Sequence, residues 1–89
     1  MRKVTKSEVA ILERLIFIEN YHTILSETGL QSGEIRDDLI NMLNSGYVEA
    51  FEADKSGIPS PARFCDTDNL SKYYFRATNA GLKALKRAS

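Results

Sequence analysis

The order of signals in the second half of the chain constrains the fold more than any other feature. The segment EIRDDLINMLNS carries apolar residues at helical spacing, and Gly46 directly follows it. The next residues, GYVEAFEAD, suit a β-strand, and after a polar loop KYYFRATNAGLKAL reads as a second strand and a closing helix. These signals predict one α+β domain, mostly α, spanning residues 1–89.

The first helix is expected over residues 6 to 19, with Ser7 as its N-cap. Its apolar residues spread around the axis well beyond the single stripe that a surface helix of a monomer needs. Two interpretations remain open: a central helix packed on several sides within one chain, or a helix shared between two subunits. The second interpretation predicts a homodimer interface formed by Ile11, Leu15 and Ile18.

Two further helices are expected before Gly46. A short one covers Ile24 to Thr28 and stops at Gly29. The next begins at a cap on Ser32 and reaches Ser45. Its inward face is formed by Ile35, Leu39, Met42 and Leu43.

The remaining chain predicts two strands around a long loop. Residues 47 to 51 suit the first strand, and residues 73 to 77 suit the returning one. Between them, residues 55 to 71 contain two prolines and many small polar residues, so they predict a wing-like loop with no strand. Thr78 is expected to cap the last helix, whose buried side is marked by Leu82 and Leu85.

Taken together, these elements resemble the winged helix-turn-helix of the MarR and PadR types of transcriptional regulator, over nearly the whole chain. The resemblance rests most on Leu39, Leu43, Gly46, Tyr47 and Val48, and on Tyr74, Ala77, Thr78 and Gly81. It implies a three-helix core, a two-stranded β-wing and a C-terminal helix. It also implies a homodimer that places the third helix in the major groove of double-stranded DNA.

Carried onto this sequence, the resemblance implies two sets of DNA-binding residues. Base readout falls to the N-terminal part of the third helix, and backbone contacts fall to cations in and beside the wing. The base-reading positions are Gln31, Ser32, Arg36 and Asn41, and the backbone positions are Lys55, Arg63, Lys72 and Arg76. Cations on the last helix, Lys83, Lys86 and Arg87, are further backbone candidates.

The charge distribution supports a second function. Net charge is zero, but residues 1–20 carry +1, residues 21–54 carry −6 and residues 55–89 carry +5. Because lysine and arginine supply most non-specific DNA affinity, an acidic recognition helix is an objection to DNA binding. We nevertheless expect a DNA-binding transcriptional regulator whose wing and C-terminal cations hold the DNA backbone, and the alternative is a winged helix that contacts a protein and does not bind DNA. Cations paired with Glu49, Glu52 or Asp54 would favour that second function, whereas cations fanned out beside the third helix would favour DNA.

Enzyme, metal and cofactor chemistry find no support in the residue pattern. His22 is the sole histidine, and no zinc-ligand spacing exists. Cys65, the sole cysteine, lies beside Asp66, which raises rather than lowers a thiol pKa. A single cysteine also fits a reducing cytoplasm, and Glu13 with Arg14 interrupts an apolar run too short to span a membrane. We therefore expect a cytoplasmic, non-enzymatic protein without cofactors or membrane contact.

Overall fold

Four helices and four short strands occupy residues 3–88, the part of the chain described by this computed structural model. Helices take up about half of the chain, so the predicted α+β class is confirmed. A single 3₁₀ turn, Leu70–Lys72, precedes the last strand. The elements in chain order are α1 (Lys6–Arg14), β1 (Glu19–Asn20), α2 (Tyr21–Thr28), α3 (Ser32–Asn44), β2 (Val48–Ala53), β3 (Pro59–Pro61), β4 (Tyr74–Ala77) and α4 (Asn79–Ala88).

The strands form one antiparallel sheet in the order β1-β4-β2-β3. The predicted pairing of β2 with β4 is confirmed, with Val48 opposite Ala77 and Phe51 opposite Tyr74. The expected pair of strands is nevertheless incomplete, because β1 adds to the free side of β4 and β3 adds to the free side of β2. The segment predicted to be a two-stranded wing is thus part of a four-stranded sheet.

The strand β3 corrects the prediction that residues 55 to 71 form only a loop. The backbone hydrogen bonds that join this segment to the β2 side of the hairpin involve residues that alternate with the prolines. The Asp54 N–H donates to the Ile58 carbonyl at 3.0 Å, and the Ala62 N–H donates to the Ala50 carbonyl at 3.0 Å. The backbone nitrogens of Pro59 and Pro61, which carry no hydrogen, therefore face away from β2. Proline is compatible with a strand in this arrangement, because β3 lies at the edge of the sheet.

Helix α1 is shorter than predicted and has a different cap. Thr5, not Ser7, caps it, in a reciprocal capping box with Glu8. The helix ends at Arg14 because the carbonyl of Leu15 accepts the Ala77 N–H at 2.8 Å, which joins this backbone to the end of β4. Residues 16 to 19 therefore lie outside the helix, and the predicted spread of apolar residues around one axis is wrong.

Helices α2 and α3 differ from the prediction mainly at their starts. The Asn20 side chain accepts the Thr23 N–H at 2.8 Å, so α2 begins three residues earlier than expected. Gly29 ends α2 in the left-handed conformation, as predicted. The cap of α3 is Gln31, without a side-chain hydrogen bond, and Ser32 is the first helical residue.

The core lies between the helices and one face of the sheet. Phe75 at its centre has no exposed surface, and Ile35, Leu39 and Met42 of α3 are equally buried, as predicted. Helix α1 contributes Ile11 and Leu12, and packs against α2, α3 and α4. This packing fixes α3 with one face inward and leaves the opposite face in solvent.

Thr78 caps helix α4 as predicted, because its hydroxyl accepts the Gly81 N–H at 3.1 Å. Its buried positions, however, are Gly81 and Ala84, whereas Leu85 is half-buried and Leu82 is exposed. Gly81 lies directly against the backbone of Tyr47, so that α4 packs closely on the start of the sheet. None of the helices in the described range is long and apolar enough to cross a membrane.

Candidate interaction surface

The exposed part of α3, together with its N-cap Gln31, includes all four residues predicted to read bases. Gln31, Ser32, Arg36 and Asn41 are exposed, because the inward positions of the same helix hold it against the core. Tyr21 of α2 fixes the beginning of the helix by donating its hydroxyl to the Ser32 carbonyl at 3.1 Å. All four residues are therefore accessible, but they do not share one face, because Ser32 and Asn41 are nine residues apart and point to opposite sides of the helix axis.

Arg36 is held by carboxylates of its own chain. One guanidinium nitrogen lies 3.7 Å from Asp37 Oδ1, and the other lies 3.6 Å from Asp68 Oδ1. Asp68 belongs to the loop between β3 and β4, so this loop lies beside the N-terminal half of α3. A shallow cavity of about 180 Å³ separates the loop from the helix, with Tyr21 and Arg36 on one side and Thr67 to Ser71 on the other.

We define the α3 surface as Gln31, Ser32, Glu34, Arg36, Asp37, Asn41 and Asp68. Its three carboxylates and one guanidinium give a net charge of −2. Every one of these residues is exposed. A phosphate backbone would approach this surface against net repulsion.

Asp38 adds to the acidic character at the edge of this surface. Partial burial raises the pKa of its carboxyl, and the nearby charges of Glu8, Glu34 and Asp37 raise it further, while a hydrogen bond from Ser7 lowers it. Its Oδ2 atom is buried and has no hydrogen-bond partner among residues 3–88. This carboxylate lies at the contact between α1 and α3, where ionisation is unfavourable.

Two predicted backbone contacts lie on or next to the β2–β3 hairpin. Asp54 shapes the hairpin turn by accepting the Ser56 and Ile58 N–H groups on Oδ1 at 2.8 and 2.9 Å. Lys55 and Arg63 are exposed, and neither has a carboxylate oxygen within 4.0 Å in the described part of the chain. These two cations remain accessible to a ligand.

Arg76, another predicted backbone contact, is engaged on the outer face of the sheet. It donates to Glu49 Oε1 across the β2–β4 pair at 2.8 Å. Its guanidinium carbon also lies 5.0 Å from the centre of the Phe51 ring, which is only 6% exposed. Arg76 therefore covers Phe51 while pairing with Glu49, which is the arrangement expected of a structural cation.

The chain was compared with protein-family models, curated proteins and solved structures. No protein-family model, curated protein or solved structure matches this chain.

The loop before β4 contains Lys72 and Cys65. The pKa of Asp66 is lowered because the Asn69 amide donates to its Oδ2 at 2.7 Å, the Asp68 N–H donates to its Oδ1, and Lys72 is nearby. Burial raises the pKa of the Cys65 thiol, and the charges of Asp66 and Glu52 raise it further. Lys72 thus lies near the carboxylate of Asp66. Cys65 lacks the electropositive surroundings of a reactive thiol.

The residues predicted to form a dimer interface separate into two groups. Ile11 and Leu15 have no exposed surface, so they belong to the core of a single chain and the prediction for them is wrong. Ile18 is half-buried. The exposed apolar residues of this region are instead Ile16 and Phe17, in the bend between α1 and β1.

Ile16 lines a groove that was not predicted. The groove has a volume of about 510 Å³ and lies between this bend, the first turns of α4 and the outer end of the sheet. Its apolar walls include Ile16 and Leu82, and the Glu49–Arg76 pair lies at its polar side. The sequence pattern does not indicate it, because Leu82 fits the stripe expected to face the interior and Ile16 lies within residues 6 to 19, which were expected to form one helix.

No group of three or more histidine, cysteine or acidic side chains in the described range has a metal-binding arrangement. His22 is exposed and makes an edge contact with the Tyr21 ring, with ring centres 6.3 Å apart.

Proposed function

We propose that this chain is a winged helix that acts as a protein-interaction module, binding a basic partner through the α3 surface. The winged-helix assignment is supported by the element order. A short strand after α1 pairs with the returning strand β4, two helices separated by Gly29 follow it, and a hairpin follows them. The resemblance to MarR and PadR regulators implies the three helices, the wing and the closing helix in this order, and β1 is an addition to it.

The observation that carries the proposed function is the charge of the region that would face DNA. Residues 31 to 77, which include α3, the hairpin and β4, contain eight acidic and five basic residues, a net charge of −3. Electrostatic complementarity mainly sets encounter rate and orientation. Such a region attracts a lysine- or arginine-rich protein segment and repels a phosphate backbone.

The engagement of the arginines supports the same conclusion. Arg36 contacts Asp37 and Asp68, and Arg76 contacts Glu49 and Phe51. An exposed ion pair contributes at most about 1 kcal/mol, so these pairs could be broken by a phosphate. A phosphate that did so would leave the freed carboxylates beside it, which lowers the net gain.

The decisive experiment is a pair of titrations followed by fluorescence anisotropy, at low and at higher salt. One probe is a labelled lysine- and arginine-rich peptide, and the other is a labelled mixed-sequence duplex. We expect salt-sensitive binding of the peptide and none of the duplex. Asp37→Asn and Glu34→Gln should each weaken peptide binding several-fold.

The matched control is Glu13→Gln, which removes an exposed carboxylate at the end of α1, outside the α3 surface. It should leave peptide binding unchanged. Equal weakening by Glu13→Gln would show that only net charge matters, and absence of peptide binding would refute the proposed function.

A DNA-binding transcriptional regulator is the second candidate, favoured by the accessibility of Lys55 and Arg63. Together with Asn41 on the exposed face of α3, these side chains could hold a duplex without using Arg36 or Arg76. In that case Arg63→Ala should weaken binding to every duplex and flatten its salt dependence, while Asn41→Ala should change the preference among sequences. Micromolar duplex binding that falls steeply with salt would place this candidate first.

A further inference from the structure

The surface formed by the α1–β1 bend and α4 combines exposed apolar side chains with a groove. Phe17 at the bend is 76% exposed, and its neighbour Ile16 is 51% exposed. Ile16 and the exposed Leu82 of α4 line the groove of about 510 Å³. We call these three residues with the groove the bend patch.

The bend patch is held in place by the backbone. The carbonyl of Leu15, directly before the bend, accepts the Ala77 N–H at 2.8 Å. On the other side, the first turn of α4 is fixed by the Thr78 cap and by the close approach of Gly81 to Tyr47. Both walls of the groove are therefore attached to the same end of β4, and the groove is formed before any partner binds.

Apolar exposure is concentrated at the bend patch. Soluble monomers expose single apolar side chains in many places, but a contiguous apolar patch with a polar border marks an interaction site. Phe64 is exposed to a similar extent, at 75%, but it lies in the loop between β3 and β4 and does not line the groove. The bend patch therefore has the character of a contact surface, and Phe64 serves as a comparison.

The side of α4 that borders the bend patch is cationic. Residues 78–89 contain three cations and no acidic residue. These cations are Lys83, Lys86 and Arg87, and all three are exposed. Residues four apart are neighbours on a helix surface, so Lys86 lies beside Leu82, and Lys83 directly follows Leu82. A chain that inserts an apolar side chain next to Leu82 therefore passes the α4 cations.

The other charges around the groove do not cancel those of α4. The Glu49–Arg76 pair at its polar side has no net charge. Residues 13–19, which lead into and form the bend, carry −1. Together with the +3 of α4, the surroundings of the bend patch carry +2.

We propose that the bend patch binds an acidic segment of another protein, with one large apolar side chain of that segment inserted between Ile16 and Leu82. The argument is charge complementarity, because carboxylates that flank the inserted side chain would face Lys83 and Lys86. An apolar anchor in a preformed pocket, surrounded by polar contacts, is also the usual source of affinity in protein interfaces. Phe17 then covers the inserted side chain from the bend.

An anionic membrane surface fits these observations less well than an acidic segment. A flat bilayer surface cannot fill a recessed groove, whereas an extended or helical peptide can place a side chain in it. Helix α4 also turns Gly81 and Ala84 towards the core, and Leu82 is its exposed large apolar residue. A helix that lies in a membrane interface needs a whole apolar face directed outward.

This proposal does not depend on the proposed function, because the bend patch and the α3 surface share no residue. The two sites also select partners of opposite charge. Binding of the basic peptide and binding of an acidic peptide are measured with different probes, so either can fail while the other succeeds.

The test is a titration of the whole chain into a short labelled peptide in which one leucine stands among glutamate and aspartate residues, followed by fluorescence anisotropy. We expect binding that weakens as the salt concentration rises. A second peptide has serine in place of the leucine, and a third has glutamine and asparagine in place of the acidic residues. Each of these two peptides should bind several-fold more weakly than the first.

Two variants of the chain test the two parts of the site. Leu82→Asn removes an apolar wall of the groove and should weaken binding of the first peptide by roughly tenfold. Lys83→Glu reverses one α4 charge and should weaken it by roughly fivefold at low salt. The matched controls are Ile58→Asn and Lys55→Glu, which make the same kinds of change at exposed positions of the β2–β3 hairpin. Both controls should bind the peptide like the parent chain.

Circular dichroism of each variant establishes that it folds, and Lys83→Glu remains informative if Leu82→Asn does not fold. Absence of acidic-peptide binding to the parent chain would overturn the proposal. So would folded Leu82→Asn and Lys83→Glu variants that bind the peptide like the parent. The variants are also mixed with anionic phosphatidylglycerol vesicles and with the labelled duplex. Binding to either that Lys83→Glu abolishes would assign the surface to lipid or nucleic acid and overturn the proposal.

Discussion

At the scale of single residues, Gly81 sets how closely α4 approaches the sheet. A Cβ atom at this position would overlap the carbonyl oxygen of Tyr47, which is backbone and already accepts the Thr78 N–H at 3.0 Å. Neither group can move without disturbing the start of β2 or the cap of α4. A residue with a side chain at this position therefore requires α4 or the start of β2 to shift.

We expect Gly81→Ala to destabilise the fold by roughly 2–3 kcal/mol, because overlap with fixed backbone outweighs the higher helix propensity of alanine. Gly33→Ala is the matched control, since Gly33 is also helical and a Cβ there meets nothing within 4 Å. That substitution should instead stabilise by up to about 1 kcal/mol. Thermal and urea unfolding measure the stability of both variants. Equal unfolding midpoints for Gly81→Ala and Gly33→Ala would contradict the packing described for α4.

Asp38 gives a pH dependence whose sign is set by its surroundings. Its pKa is raised in the folded state, so its contribution to stability is fully present below the unfolded pKa and is lost as pH rises through the folded pKa. Asp38→Asn removes the charge and should raise the melting temperature at pH 7 by a few degrees. The gain should disappear near pH 3, where the parent carboxyl is protonated. If the rise in melting temperature persists at pH 3, it comes from packing and not from removal of the charge.

At the scale of elements, the sequence predicted the interior of α3 and the β2–β4 pair well. Ile35, Leu39 and Met42 repeat at helical spacing along one uninterrupted helix, so the pattern and the structure agree. The end of α1 could not be predicted in the same way. The interaction that stops the helix is a backbone hydrogen bond between Leu15 and Ala77, which are far apart in the chain. The local spacing of apolar residues therefore does not predict it.

The candidate surfaces were predictable to different degrees. Exposure of Gln31, Ser32, Arg36 and Asn41 follows from the inward face of α3, so the sequence was sufficient. The partners of Arg36 and Arg76 depend on which loop and which strand lie beside them, and their carboxylates come from Asp68 and Glu49. Long-range pairing of this kind is set by the tertiary fold.

On the outer face of the sheet, the Arg76 side chain has two separable effects. We expect Arg76→Ala to cost more stability than Glu49→Ala, because only the first uncovers Phe51. A double-mutant cycle should give a coupling energy of at most about 1 kcal/mol for the ion pair. Urea unfolding of the parent chain, the two single variants and the double variant gives the cost of each single substitution and the coupling energy between them. If the two single substitutions cost the same, Arg76 does not shield the ring.

At the scale of the whole molecule, charge is separated between two regions. Residues 31–77 carry −3, and residues 78–89, which include α4, carry +3. If the charge of the α3 surface is what prevents DNA binding, then reversing it should permit binding. A winged helix, the fold that we propose for this chain, would otherwise present α3 to the major groove of a duplex.

The double variant Glu34→Lys with Asp37→Lys changes the α3 surface from −2 to +2. We expect it to bind a mixed-sequence duplex at low salt. Its binding constant should fall roughly in inverse proportion to the salt concentration for each phosphate neutralised. Glu13→Lys with Glu27→Lys gives the same net charge from exposed positions on α1 and α2 and is the control. Similar duplex affinity in the two variants would show that α3 is not the relevant surface.

The edge strand β3 has a consequence for how copies of the chain can associate. An added strand needs outward-facing N–H donors, and Pro59 and Pro61 remove those donors along β3, while β1 at the other edge offers only two residues. Both borders of the sheet are thus closed to continuous β-sheet growth between molecules, a common route to aggregation. Association through side chains on surfaces of defined shape is therefore favoured over the addition of strands.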